Sequence, residues 1–276
     1  MMNPNPNPNP NPNPSLSVTR RTLIQGAAWT VPAIALASAA PSLAASQCIS
    51  EASTSTLAAD FIRIGSRSAY FRWRNVFQAG DELRLNVTSE KLSTGDGSID
   101  VGNLQLETAP AGLTYGLVPG ASSALNLAVN IGADTFQSRH AFSFSYASDG
   151  STFVPYAGVQ GASFTIVDID GKYVLSGGVN TGVERILFES GASGTIVDPD
   201  YLKGTGIAGS PWSRRDPSTP NLPNLDTFQS SAGNVDAVAT ASSWVLRYNG
   251  INPPAPQIFN IWITPIAFTA VNPAGC

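Results

Sequence analysis

The sequence predicts an all-β protein: an antiparallel β-sandwich, jelly-roll-like in form, that follows an N-terminal helical signal segment. Three observations carry this. Apolar and polar residues alternate with a period of two from Asp60 onward, the spacing of strands with one buried face. Clusters of Gly, Pro, Asn, Asp and Ser separate these runs and supply turns. After the leader, no window longer than about ten residues keeps a 3.6-residue apolar period, too little for an ordinary helix. Many short strands with frequent turns bury themselves as two packed sheets, with a barrel as the second arrangement.

Residues 1–18 carry an unbroken Asn-Pro alternation from Asn3 to Pro14. Each proline lacks a donor and pushes the asparagine before it out of helical space, so a disordered extension is expected there. Residues 19–44 have the layout of an export signal. Thr19-Arg20-Arg21-Thr22-Leu23-Ile24 opens an alanine-rich apolar run to Ala40, and Ser42-Leu43-Ala44 offers the small residues of a cleavage site. Gln25, Gly26 and Pro32 make the same run a weak membrane span. Paired Arg20 and Arg21 point to the twin-arginine route, with the general secretory route as the alternative. The segment resembles the twin-arginine leaders of secreted and surface proteins of Gram-positive bacteria, with Gln25 where such leaders often carry lysine. That resemblance implies a secreted or cell-surface product.

Residues 45–276 are expected to form a single extracellular domain. Leu83, Leu85 and Val87 alternate with Glu82, Arg84 and Asn86; Ile99 and Val101, then Leu104 and Leu106, continue around Gly102. Leu125 to Ile131 and His140 to Tyr146 are the clearest strands, followed by Ser163–Ile169, Val183–Phe188, Val235–Ala239, Ser243–Tyr248, Gln257–Thr264 and Ile266–Thr269. The stretch from Ala147 to Gly161 reads as a linker by its glycine and serine. Phe153, Val154, Tyr156 and Val159 make it too apolar for one.

Without Arg20 and Arg21, 13 of the 15 basic residues remain against 19 acidic ones. So acidic a chain has no concentrated basic face for phosphate, and nucleic acid is not expected as a partner. Nor is a membrane, once the leader is removed. Cys48 and Cys276 stand at the two ends of the mature chain, and outside the cell an even pair most simply forms a disulfide. A bridge from Cys276 to another subunit is the rival.

Candidate sites are few. Asp168-Ile169-Asp170-Gly171 ends a strand, and Asp168 and Asp170 are the best calcium ligands, although calcium needs six to eight oxygens and more loops, with Asp198 or Asp200 to help. An ordinary turn is the competing reading. His140 is the lone histidine and sits on an apolar strand face, so packing competes with catalysis. Glu82, Glu107, Glu184 and Glu189 could supply the carboxylate pair of a glycoside hydrolase. Trp212, beside Arg214 and Arg215 in a Gly/Pro-rich loop, could stack on a sugar or pack inside. Trp73, between Arg72 and Arg74, presents the same choice.

Phe164-Thr165-Ile166-Val167-Asp168-Ile169-Asp170-Gly171 and Lys203-Gly204-Thr205-Gly206-Ile207-Ala208-Gly209-Ser210-Pro211-Trp212 resemble paired segments of bacterial adhesin and surface-protein β-domains. The resemblance implies a β-sandwich for attachment or display and carries no catalytic residue across. The expected function is therefore attachment or structural display, with a cell-surface glycan or another surface protein as partner. The alternatives are a carbohydrate-binding module and a secreted glycoside hydrolase.

Overall fold

Residues 50–94, 96–131, 136–169, 183–215, 227–251 and 257–275 are described by the computed structural model. All lie in the second of two units into which the chain divides, Met1–Ala44 and Ala45–Cys276. The Asn-Pro extension, the leader with Arg20 and Arg21, Cys48, Asp170 and Cys276 fall outside the described residues.

In chain order the strands are β1 (Glu51–Ser55), β2 (Asp60–Gly65), β3 (Ser68–Arg74), β4 (Glu82–Lys91), β5 (Ser98–Ile99), β6 (Gln105–Thr108), β7 (Ser123–Ile131), β8 (Phe136–Ala147) and β9 (Val154–Pro155). There follow β10 (Val159–Val167), β11 (Val183–Ser190), β12 (Ala192–Ile196), β13 (Leu202–Lys203), β14 (Ser213–Arg214), β15 (Val235–Ala239), β16 (Ser243–Ile251), β17 (Gln257–Ile263) and β18 (Ala267–Val271). Among the described residues only two single-turn segments, Thr56–Ala58 and Tyr115–Leu117, are helical. No helix there is long and apolar enough to cross a membrane.

Sixteen of the strands form two antiparallel sheets, and β13 and β14 pair as a separate two-stranded ribbon. Sheet A has the order β1-β18-β10-β17-β7-β5, extended by β15 and β12 beyond β10 and by β6 on β7. Sheet B has the order β11-β16-β8-β4-β3-β2, with β9 added to β8. From β4 to β12 the chain passes repeatedly from one sheet to the other, as in a jelly-roll-like sandwich. The alternating residues explain the packing. Leu83, Leu85 and Val87 of β4 and Phe142 and Phe144 of β8 face Leu125, Leu127, Val129 and Ile131 of β7 and Phe259, Ile261 and Ile263 of β17 in one buried core. Aromatic rings join the layers: Phe164 lies 5.5 Å from Trp244 and Phe268 lies 4.8 Å from Phe144, between centroids. Fully burying each such side chain contributes about 1.5–3 kcal/mol.

One corner of the sandwich needs a glycine. Between β11 and β12 the chain leaves sheet B for sheet A at Gly191, whose φ is +72°. A Cβ there would lie 2.0 Å from the Ser243 carbonyl oxygen, so both space and backbone geometry demand glycine.

The expected strand around Gly102 is instead a turn. The Asp100 carboxylate accepts a 2.7 Å hydrogen bond from Gly102 N, leaving Val101 82% exposed while Leu104 is buried. The stretch from Ala147 to Gly161 is part of the sandwich, with Tyr156 buried and β9 paired to β8.

The ends of the domain meet. β1 pairs with β18, Glu51 opposite Val271, and Asn272 N donates a 2.8 Å bond to Ser50 O.

The two outer faces differ. Sheet A is roofed over part of its outer face by the segments 109–122 and 227–234: Tyr115 packs 5.0 Å from Phe228 and 6.0 Å from Trp262, and Asn234 Nδ2 donates to Gly116 O at 2.8 Å, while Ser163, Ser193 and Val238 of the same sheet stay exposed. Among the described residues sheet B has no such cover. Its outward Thr88, Ser143 and Ser243 are exposed, and Asn86, Ser145 and Val245 half-buried.

Candidate binding face

Trp212 does not offer an exposed ring. It is 1% exposed, packs edge-on against Phe188 at 5.4 Å, and exchanges backbone hydrogen bonds of 2.8 and 3.0 Å with Ile186. Gly194 and Gly206 make room for it: a Cβ on Gly206 would stand 2.2 Å from the indole. The loop between β12 and β14 thereby seals the edge of sheet B, and the packing alternative for Trp212 is the one realised. Arg214 is buried too, its guanidinium 5.1 Å from the centroid of the Tyr201 ring. Arg215 is exposed, but its Nε donates to Pro199 O at 2.8 Å and binds the loop to itself. These three residues do not converge on a ligand position. Trp73 is likewise buried, with Nε1 donating to Ser55 O.

Asp168 adopts φ +72° at the end of β10 and accepts a 3.0 Å bond from Thr227 Oγ1. Asp198 accepts from the N–H groups of Asp200 and Tyr201, closing its own turn. Among the described residues no three metal-ligating side chains gather, so the calcium expectation stays with Asp168 and Asp170 alone.

His140 lies wholly inside. Ser89 Oγ is 2.8 Å from Nδ1 and Ser138 Oγ 3.1 Å from Nε2, so a neutral ring meets both hydroxyls. Burial pushes its pKa down to about 3. Asn103 extends the network across the sandwich: its Nδ2 donates to Ser89 Oγ, and its Oδ1 accepts from Ala128 N of β7. A serine and the histidine do meet, but no substrate reaches them. This is a structural polar bridge.

The four glutamates are separately engaged. Glu82 pairs with Arg84 at 2.6 Å, and Glu189 with Arg139 at 3.0 Å and with Arg247. Glu107 accepts from Asn126 and Trp262, and helps burial push the Tyr115 pKa up to about 12. Glu184, buried, accepts from the Tyr248 hydroxyl at 2.7 Å. No two share a partner.

What the strands do bring together is a set of arginines. Arg72 and Arg74 on β3, Arg84 on β4, Arg139 on β8, Arg185 on β11 and Arg247 on β16 all occupy outward positions of sheet B. The Arg84 guanidinium is sandwiched between Tyr70 and Phe153, 4.5 and 3.7 Å from the ring centroids, a stacking arrangement suited to arginine. Between Arg72–Arg84 at one end and Arg139–Arg247 at the other lies a neutral belt of Asn86, Thr88, Ser143 and Ser243. Six residue steps along β4 lead from the Arg84 row to the row of Glu90 and Arg139, a distance of about 20 Å. The sequence reading missed this face because its members are far apart in the chain. The usable signal was arginine at polar positions of alternating runs.

No protein-family model matches the chain, and no match is found among the curated proteins. Among solved structures, the adhesin domain of PrgB from Enterococcus faecalis bound to DNA is similar at a TM-score of 0.36 and 9% identity. That match covers 73% of this chain and 69% of that one. The glucan-binding protein C of Streptococcus mutans is similar at a TM-score of 0.35 and 6% identity, over 75% of this chain and 59% of its own.

Proposed function

We propose that this chain is an exported β-sandwich serving attachment or structural display at the cell surface, and that it meets its partner with the outer face of sheet B. The observation that carries this is the asymmetry of the two sheets. One outer face is partly roofed by its own loops and its strands carry no arginine or lysine, while the other keeps a broad polar surface set with arginines among the described residues. An antiparallel sheet tolerates one solvated face, and an open face set with arginine and tyrosine has the residue types enriched at interfaces. The partner is a surface glycan or another surface protein. A carbohydrate-binding role, if present, rests on this sheet rather than on Trp212. A glycosidase reading loses its support with the separation of the glutamates.

The test uses the extracellular product, whose first residue is expected to be Ala45. Ser143→Glu with Thr88→Glu places bulk and negative charge on the belt and is expected to lower retention on glycan- or protein-coated surfaces by about tenfold. Val238→Lys, at an exposed position of sheet A, is expected to leave it unchanged. Equal retention by all three proteins would refute the face.

The Cys48–Cys276 bridge belongs to the same reading. It is supported by the meeting of Ser50 with Asn272, the near neighbours of the two cysteines. Replacing both cysteines by serine is expected to cost about 3 kcal/mol, read as a lower melting temperature. A reduction-sensitive dimer on gels would point to the intersubunit bridge instead.

A further inference from the structure

The open face of sheet B has a charge that the rest of the chain does not share. It holds six of the 13 basic residues that follow the leader, but only four of the 19 acidic ones: Asp60, Glu82, Glu90 and Glu189. The face is thus positive by two, and the remainder of the exported chain negative by eight.

The arrangement of the charges is also costly. Arg72 stands directly across from Arg84, and Arg139 directly across from Arg247. Like charges in opposed strand positions destabilise a sheet. Carboxylates offset the first pair, Asp60 reaching Arg72 at 3.0 Å and Glu82 reaching Arg84 at 2.6 Å, whereas the single Glu189 serves both Arg139 and Arg247. Arg74, its side chain 58% exposed, is only 3.8 Å from Glu82, and Arg185 is exposed at the far edge. Exposed pairs of this kind contribute little to stability, so they can exchange for a ligand's carboxylate at small cost. Arginine is the side chain suited to such bidentate recognition.

From these observations we infer that the face binds a linear acidic polysaccharide, a sugar chain with spaced carboxylates. This rests on the attachment reading above and names its ligand class. The arginine rows take the carboxylates, Asn86, Thr88, Ser143 and Ser243 take sugar hydroxyls across the neutral belt, and the Tyr70–Arg84–Phe153 stack gives a sugar ring a flat support. The four acidic residues on the same face repel a polymer charged at every step, such as nucleic acid, more than one whose charges are spaced.

Binding of the purified protein to polygalacturonate, to its carboxyl-reduced neutral counterpart and to DNA decides the matter. Expected is binding to polygalacturonate that weakens with salt and falls about fivefold for each of Arg74→Glu and Arg185→Glu, with unchanged melting temperatures. The reduced polymer is expected to bind at least tenfold more weakly. Equal binding of the neutral polymer, binding of DNA but not polygalacturonate, or indifference to both variants overturns the acidic-glycan assignment. The attachment reading falls separately, if the Ser143→Glu with Thr88→Glu protein is retained on surfaces like the parent.

Discussion

Trp212→Ala is expected to lower the stability of the domain by about 4 kcal/mol, the range for deleting a fully buried aromatic side chain. The ring fills a slot made by Phe188, Gly194 and Gly206, and its removal leaves a void that glycines cannot close by moving a side chain. Gly206→Val tests the same slot from the other side. It asks for a β-branched residue at φ +74° with its Cβ 2.2 Å from the indole, and a comparable or greater loss is expected. Urea unfolding monitored by tryptophan fluorescence measures both. A loss below about 1 kcal/mol for Trp212→Ala would mean that the ring is not packed as described.

The second large effect is a loss of stability in acid. His140 is neutral inside the sandwich, its pKa pushed down to about 3 by burial, whereas in the unfolded chain it titrates near 6.5. Above that pH both states bind no proton and the full stability is present. As the pH falls through 6.5, only the unfolded chain takes up the proton, and stability drops by about 1.4 kcal/mol per pH unit until the folded ring titrates near 3. Between pH 6.5 and 5 few carboxylates contribute, so unfolding free energies measured across that window isolate the histidine. His140→Asn is expected to be less stable at neutral pH, because Ser89 and Ser138 lose their ring contacts. Its stability should nevertheless fall less steeply with acid than the parent's. Parallel pH profiles would exclude a buried neutral His140.

The strands legible in the sequence were those with one face in the core. Leu83 to Val87 and His140 to Tyr146 bury alternate residues while their neighbours face outward, and Leu125 to Ile131 alternates large core side chains with Asn126, Ala128 and Asn130, so period two survives in the residue types. β1 and β12 were not legible: Glu51-Ala52-Ser53-Thr54-Ser55 and Ala192-Ser193-Gly194-Thr195-Ile196 pair along their backbones but bury little. Val101 misled because the Asp100 turn breaks the run that its apolar side chain continues. At the candidate sites the difficulty was distance. Trp212 is enclosed by residues from other segments, including Phe188 and Gly194, which local composition cannot reveal. The arginines at 72, 84, 139, 185 and 247 become neighbours only once the register of sheet B is known.

The pairing of β1 with β18 also determines how the domain would answer to mechanical force. Its first and last residues leave from one pole, so a pull between them loads the rungs of that ladder singly and would unzip it from Glu51 and Val271 inward. A tether fixed at either terminus and dragged through a ligand lying on the broad sheet would instead route tension across the middle strands. A covalent staple at the pole would leave that second path untouched and make the first one inextensible.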